Sequence, residues 1–170
     1  MKIITSTFLT DFQKECAYNL WNNEYPQNLR YNTITEFDDY LNGLQEKKYY
    51  LLIDDEGIIA AWAATFERNN EKWFAIIINS AIHGKGHGTA ILNEIKKEEQ
   101  HLVGWVIDHE RDSKVNGDKY RSPLTFYIKN QFNILPDSRI ESATISAVKI
   151  VWGKNNTPLL MSGIFTFIAI

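Results

Sequence analysis

The sequence predicts a mixed α/β domain in which helices cover one central β-sheet. Two segments carry helix-capping signals followed by apolar residues at helical spacing. Two strand-like segments flank a turn of hairpin composition. An apolar segment at 73–79 leads into three glycines and then into an amphipathic segment, which is the pattern of a strand, a turn and a helix. The chain of 170 residues is long enough for one such domain with a substantial core.

The first third of the chain predicts a strand and two helices. A short run rich in β-branched residues predicts a strand at 2–7. Thr10 and Gln13 have the spacing of a capping box, and Thr33 and Glu36 repeat it. The apolar residues after each box recur at helical spacing: Phe12, Cys16 and Leu20, then Phe37, Tyr40, Leu41 and Leu44.

The rest of the chain predicts further strands and two more helices. Strands are expected at 49–53 and 58–66 around an acidic turn that ends in Gly57, and at 73–79 and 102–107. The helix after the glycines faces inward with Ile91, Leu92 and Ile95. A helix is expected at 122–130, and one strand region at 140–152, bent at Ala143 or Ala147. The predicted order is β-α-α-β-β-β-α-β-α-β.

Composition excludes some classes of function. A net charge of −3 and a pI near 5.8 argue against a nucleic-acid binder, which normally has a basic stripe. The single cysteine, Cys16, rules out an intrachain disulfide. Met1 is not followed by a basic region and a long apolar stretch, so we expect no signal peptide and a cytoplasmic protein without a membrane segment. We expect one domain at 1–154 and an apolar tail at 155–170, which forms an extra strand or a dimer contact.

The glycine-rich segment 83–89 carries the clearest chemical signal. Glycines between a strand and a helix let the backbone approach a ligand, and free N–H groups at a helix start favour an anion such as a phosphate. A Walker loop does not fit, because no lysine precedes Thr89. A dinucleotide-binding loop fits poorly, because the spacing is Gly84-x-Gly86-x-Gly88 and the segment lies in the middle of the chain. A metal site shared by His83 and His87 lacks a third ligand nearby, so no metal is expected.

This segment resembles the pyrophosphate loop of the GCN5-related N-acetyltransferases, with His83 where that family usually has glutamine or arginine. A second segment, which runs from Tyr127 to Phe132, resembles the Tyr-x-Lys-x-Gly-Phe motif of the family, with Gln131 in place of the glycine. The resemblance covers roughly residues 1–152. It implies a mixed, mostly antiparallel sheet in which the two parallel central strands splay apart.

The resemblance also implies a function, the transfer of an acyl group from acetyl-CoA to the amine of a small molecule or peptide. The alternatives are a non-catalytic domain that binds acyl-CoA and a nucleotide-binding protein. Acetyl-CoA would lie between the strands at 73–79 and 102–108. The implied cofactor-binding residues are Ile76, Ile78, His83, Gly84, Lys85, Gly86, His87, Gly88 and Thr89.

The resemblance assigns catalytic roles less completely. Tyr127 matches the tyrosine that protonates the departing thiolate, although a core role would also suit its position. His109, with Asp108 beside it, is one candidate for the base that takes the proton of the amine, because histidine titrates near neutral pH. Glu67 is a second candidate and Glu24 a third. Tyr120 stands where many members have asparagine, seven residues before Tyr127.

Overall fold

The computed structural model describes residues 1–154, and the predicted role of the tail at 155–170 lies outside this range. Within it, seven strands form one sheet in the order β1-β2-β3-β4-β5-β7-β6, flanked by helices. The strands are β1 (Lys2–Ser6), β2 (Gln45–Ile53), β3 (Ile59–Arg68), β4 (Glu71–Ile78), β5 (His101–Val106), β6 (Asn133–Glu141) and β7 (Ser146–Gly153). The α-helices are α1 (Asp11–Glu24), α2 (Ile34–Gly43), α3 (His87–Glu98) and α4 (Leu124–Lys129). The predicted fold class is confirmed.

The capping signals mark the starts of the first two helices. The Thr10 side chain accepts the N–H of Gln13 at 3.3 Å, and the Gln13 side chain accepts the N–H of Thr10 at 3.0 Å. The Thr33 hydroxyl accepts the N–H of Glu36 at 3.2 Å before α2. Each cap satisfies a donor that a helix start leaves unpaired. No helix in residues 1–154 has the length and apolar character needed to cross a bilayer.

The strand region expected at 140–152 is wrong in one respect, because it contains two strands. β6 begins at Asn133, and a turn at 142–145 reverses the chain into β7. Pro136 and its polar neighbours hide β6 in the sequence. The pairing of β6 with β7 is interrupted between Leu135 and Arg139, so Pro136 falls in a gap of the ladder. β6 is also an edge strand, where a residue without an N–H is tolerated.

A cleft opens between β4 and β5, the only parallel pair among the described strands. These strands pair at one position, Trp73 with Val103, whereas β4 pairs with β3 along its whole length. They therefore lie side by side near their beginnings and separate toward their ends. The Phe74 ring lies against β5 at the base of the cleft, where Gly104 leaves room for it. A Cβ at Gly104 would stand 2.9 Å from Phe74 Cε1.

Two apolar layers hold this sheet from its two faces. On one face, α1 and α2 bring together an aromatic cluster that includes Trp21, Phe37 and Trp62. On the other face, α3 buries its inward residues completely, as the sequence predicts: Ile91, Leu92 and Ile95. Burial of such side chains contributes about 1.5–3 kcal/mol each. The base of the cleft thus has a rigid support on both sides.

Candidate active site

The three glycines before and within the start of α3 serve two different purposes. Gly84 has φ +75° and Gly86 has φ +82°, values that side chains other than glycine rarely adopt. Gly88 has no such φ, but a Cβ there would lie 2.9 Å from both Ile78 Cδ1 and Phe126 Cζ. Two glycines therefore turn the chain, and the third lets α3 pack closely against β4 and α4.

The turn leaves a row of backbone donors free. The N–H groups of Ile82 and His83 are bonded to Asn79 and Ser80, and that of Ala90 to Gly86. The six N–H groups from Gly84 through Thr89 have no hydrogen-bond acceptor among residues 1–154. They lie at the N-terminus of a twelve-residue helix, where the helix dipole adds partial positive charge. The arrangement suits a phosphate or pyrophosphate.

The main chain of β4 presents further groups toward the cleft. The Asn79 N–H bonds to the Ala60 carbonyl at 3.0 Å, so alternate residues before Asn79 also face β3. The backbone groups of Ile76 and Ile78 consequently point away from β3, and no ladder to β5 forms at these positions. His83 Nε2 lies 2.9 Å from the Ile78 carbonyl oxygen, and a ring nitrogen that meets a carbonyl must donate. Among residues 1–154, no strand pairs with the backbone groups of Ile76 or with the N–H of Ile78 on this side of β4.

Tyr127 lies in α4 at the base of the same cleft. Its ring contacts those of Phe74 and Phe132, with centroid separations of 5.7 and 5.4 Å. Burial raises the pKa of the phenol above its ordinary value, and the neighbouring Tyr25 raises it further. Gln131, which stands in place of the motif glycine, adopts φ +67°. The turn after α4 therefore keeps the left-handed conformation that glycine would favour.

Comparisons with known proteins gave matches at the level of structure. No family model matches the sequence, and no curated protein matches it either. An aminoglycoside 6'-N-acetyltransferase complexed with coenzyme A superimposes with a TM-score of 0.67 at 14% identity, covering 90% of this chain and 97% of the other. A GNAT superfamily phosphinothricin acetyltransferase from Sinorhizobium meliloti, in complex with AcCoA, gives 0.59 at 11% identity, covering 90% and 89%. The ribosomal-protein-S18-alanine N-acetyltransferase from Escherichia coli gives 0.57 at 16% identity, covering 92% and 99%.

The fold is that of the GCN5-related N-acetyltransferases. This agrees with the resemblance found in the sequence, and the splayed parallel strands implied by it are present as β4 and β5. Identities of this size establish the GNAT fold alone, so the roles of individual residues depend on the geometry of this chain.

Three phenols meet where the cleft of this GNAT fold opens. Tyr25 follows α1 and packs against buried Tyr120. Burial is the main cause that raises the pKa of the phenols of Tyr25, Tyr120 and Tyr127. Each of these pKa values is raised further by the electrostatic effect of one of the other two tyrosines. None of the three hydroxyls has a hydrogen-bond partner among residues 1–154. In this range, the side-chain polar atoms that are both fully buried and without a partner are Trp62 Nε1 and His109 Nε2, so the tyrosine hydroxyls are not fully buried. The hydroxyls therefore reach accessible space. The sequence pointed to each tyrosine separately and gave no signal that they converge.

His109 lies beyond the end of β5 on the wall opposite the glycine loop. Its Nδ1 accepts the N–H of Arg111 at 3.4 Å, and its Nε2 is buried with no hydrogen-bond partner in the described part of the chain. The imidazole lines a polar pocket of about 160 Å³ together with Asn28, Asp112 and the turn at 142–146. Asp108 does not hydrogen-bond to the His109 ring, because both of its oxygens bind the guanidinium of Arg139, at 2.7 and 3.0 Å.

The other two candidate bases are placed less favourably. Glu67 lies at the closed end of the sheet, where it pairs with Lys72 at 3.5 Å, so it is not brought near Tyr127. Glu24, at the end of α1, is near the cleft, but its carboxylate binds Ser80 and Lys114. In the described part of the chain, no group of three or more His, Cys, Asp or Glu side chains is arranged to hold a metal ion.

Proposed function

We propose that the protein is an acetyl-CoA-dependent N-acetyltransferase that acts on the amine of a small molecule or peptide. The observation that carries the proposal is the row of six N–H groups, free among residues 1–154, which follows a strand whose cleft-facing edge has no pairing partner there after Trp73. Two solved proteins of the same fold are complexes with coenzyme A and AcCoA. That likeness supports the same ligand here.

The free groups fit the parts of acetyl-CoA in order along the cleft. The N–H groups from Gly84 through Thr89 would hold the pyrophosphate, and the exposed Lys85 adds a positive charge nearby. The free backbone groups of Ile76 and the N–H of Ile78 would pair with the amides of the pantetheine arm, as an added strand pairs with a sheet edge. His83 contributes indirectly, because its ring fixes the end of β4 through the Ile78 carbonyl.

Tyr127 is the proposed proton donor. Bound acetyl-CoA supplies the acetyl group as a thioester, and a neutral amine displaces the thiol. The raised pKa of Tyr127 keeps its hydroxyl protonated at neutral pH, as a donor must be. The same shift makes the phenol a weaker acid, so Tyr127 acts best by donating a hydrogen bond to the sulfur while negative charge develops there.

His109 is the proposed acceptor of the amine proton. It lines the polar pocket on the side of the cleft opposite the glycine loop, and its Nδ1, which accepts the Arg111 N–H at 3.4 Å, is the nitrogen of the neutral ring that has a lone pair to take up the proton. Imidazole can take up a proton near neutral pH. An amine that enters through this pocket would pass His109 before it reaches the phenols.

A Tyr127→Phe substitution tests the assignment. We expect turnover to fall by about 100-fold, the lower end of what a general acid contributes, because the substitution removes only the hydroxyl. The affinity for acetyl-CoA should not change. Thiol release is measured with a panel of polyamines, amino acids, aminoglycosides and peptides, and Tyr18→Phe is the matched control. Tyr18 also carries a hydroxyl, bonded to backbone carbonyls of Tyr31 and Asn32 away from the cleft.

A non-catalytic acyl-CoA-binding domain is the second candidate. This candidate is favoured because no carboxylate near the cleft is available as a base among residues 67, 24 and 108. Glu67 lies away from the cleft, and Glu24 and Asp108 are bonded to cationic side chains. In that case, the wild-type protein binds acetyl-CoA and releases no thiol with any amine of the panel. Equal turnover by the wild type and Tyr127→Phe would instead contradict the role given to the phenol.

A further inference from the structure

A β-hairpin follows β5 and contacts the end of α1 and the residues after it. Residues 112–120, called the strap here, pair through Ser113 and Lys119 and turn at 116–117. Internal bonds run from the Lys114 N–H to Asp118 at 2.8 Å and from the Tyr120 N–H to Asp112 at 2.9 Å. The strap ends in Tyr120, so its position determines where that phenol stands beside Tyr25 and Tyr127.

The carboxylate of Glu24 joins the strap to the 3-10 turn Ser80–Ile82, which leads into the glycine loop. One oxygen accepts the backbone N–H of Ser80 at 2.9 Å and the Ser80 hydroxyl at 3.2 Å. The other oxygen binds the ammonium of Lys114. Ser80 lies two residues after the end of β4, and Lys114 lies beyond β5, so Glu24 connects the two walls of the cleft.

This ion pair is well shielded from water. The side chains of Glu24 and Lys114 are only 11% and 12% exposed, in contrast to the strap's other ion pair, between Lys119 and Glu110, whose side chains are 63% and 52% exposed. A shielded pair is hard to break, because one partner left alone keeps an uncompensated charge away from water. A second bond, from the Gln27 N–H to the Ser113 carbonyl at 2.9 Å, ties the strap to the chain after α1.

We propose that Glu24 is a positioning residue that couples the glycine loop to the strap. The inference rests on the proposed function, because acetyl-CoA is the ligand that fixes the loop. A bound pyrophosphate restrains the segment that begins at Ser80, and Ser80 then holds the Glu24 carboxylate in the orientation that binds Lys114. The strap opens less often, and Tyr120 stays in place beside Tyr127. Coupling of this kind reduces local opening without a change in fold.

Hydrogen exchange measured by mass spectrometry on the full chain, with and without saturating acetyl-CoA, tests the coupling. In the wild type, we expect acetyl-CoA to slow exchange at the strap amides of Gly117 and Tyr120 by at least about fivefold, the lower limit of typical coupling. Because coupling is reciprocal, Lys114→Met should bind acetyl-CoA at most about fivefold more weakly, and its strap should no longer respond to saturating ligand. Lys119→Met is the matched control on the same hairpin and should respond like the wild type.

The readout is the change caused by the ligand, so a strap that is merely loosened by substitution would still respond. Glu24→Gln is the second variant, because it keeps an oxygen for Ser80 and removes the charge that holds Lys114; it too should lose the response. An unchanged response in both variants would overturn the coupling. A wild-type protein that binds acetyl-CoA without slower strap exchange would also overturn it, while the proposed function would stand. A wild-type protein that does not bind acetyl-CoA would contradict both the coupling and the proposed function.

Discussion

At the residue scale, Asp108 has a structural role, because it forms an ion pair with Arg139 and does not bind its neighbour His109. Arg139, in β6, binds both oxygens of Asp108 and also the carboxylate of Glu141. The bonds from Arg139 hold the pKa of Asp108 below its ordinary value. The pair fastens the end of β5 to the last hairpin, next to the pocket that His109 lines.

The lowered pKa predicts a pH-dependent contribution to stability. A carboxylate with a lowered folded pKa stabilises the fold above the ordinary aspartate pKa of about 3.9, and this contribution disappears as the pH falls through the folded pKa. We therefore expect Asp108→Asn to lower the melting temperature at pH 7 and to differ much less from the wild type near the acid limit of folding. Thermal unfolding at a series of pH values measures this. Asp55→Asn, which removes a fully exposed carboxylate, is the control for the loss of one charge. A difference that stays constant with pH would contradict the account.

Individual residues also show what a sequence can and cannot predict. The glycines could be located because a turn into a helix requires them, and the structure adds that Gly88 serves packing and not conformation. Glu67 was a reasonable candidate as a residue at a strand end. However, the sequence does not say which end of the sheet a strand end faces, and the pairing of β3 with β4 puts Glu67 at the closed end.

At the scale of elements, the contact between β4 and β5 determines the shape of the cleft. Phe74 fills the space left by Gly104, and its ring packs against Tyr127 and Phe132 at 5.7 and 5.2 Å. The ring therefore cannot turn away without disturbing the proposed proton donor. Below the cleft, the Phe74 ring of β4 therefore packs against both β5 and α4, so a change at one of these contacts affects the other.

A Gly104→Ala substitution tests this packing. The new Cβ would lie 2.9 Å from Phe74 Cε1 and 3.0 Å from Cζ, so we expect a loss of about 1–3 kcal/mol in the free energy of unfolding, as for other overpacked cores. Urea unfolding provides the measurement. Gly153→Ala is the matched control, because Gly153 is also a strand glycine and a Cβ there meets nothing within 4 Å. Equal stability of the two variants would show that Phe74 is not confined.

The elements differ in how well local patterns predict them. The first two helices were predictable because their caps are local, and the hairpin of β2 and β3 because its turn is local. β6 was missed because its interrupted ladder accommodates Pro136, which a local pattern assigns to a turn. The separation of β4 from β5 could not be derived from local patterns, because it is a relation between strands distant in sequence; only the resemblance implied it.

At the scale of the whole molecule, the strand order places all the proposed functional groups at one end of the sheet. β4 leads into the glycine loop, and β5 leads into His109 and the strap. α1 ends between them at Glu24, which contacts both. The helix that connects the parallel strands, α3, carries the anion site at its start. The proposed acetyl-CoA site depends on this convergence, since the same loop on an isolated turn would have no pantetheine-binding edge beside it.

Calorimetric titration with acetyl-CoA, with NAD and ATP as controls, tests for this site. We predict saturable binding of acetyl-CoA alone. In Gly86→Ala, we expect binding to be about five- to thirtyfold weaker, because a left-handed backbone costs a side-chain-bearing residue roughly 1–2 kcal/mol. Gly57→Ala is the matched control, since Gly57 has nearly the same φ (+84° against +82°) in the turn between β2 and β3. No binding of acetyl-CoA, or equal binding of NAD or ATP, would contradict the account.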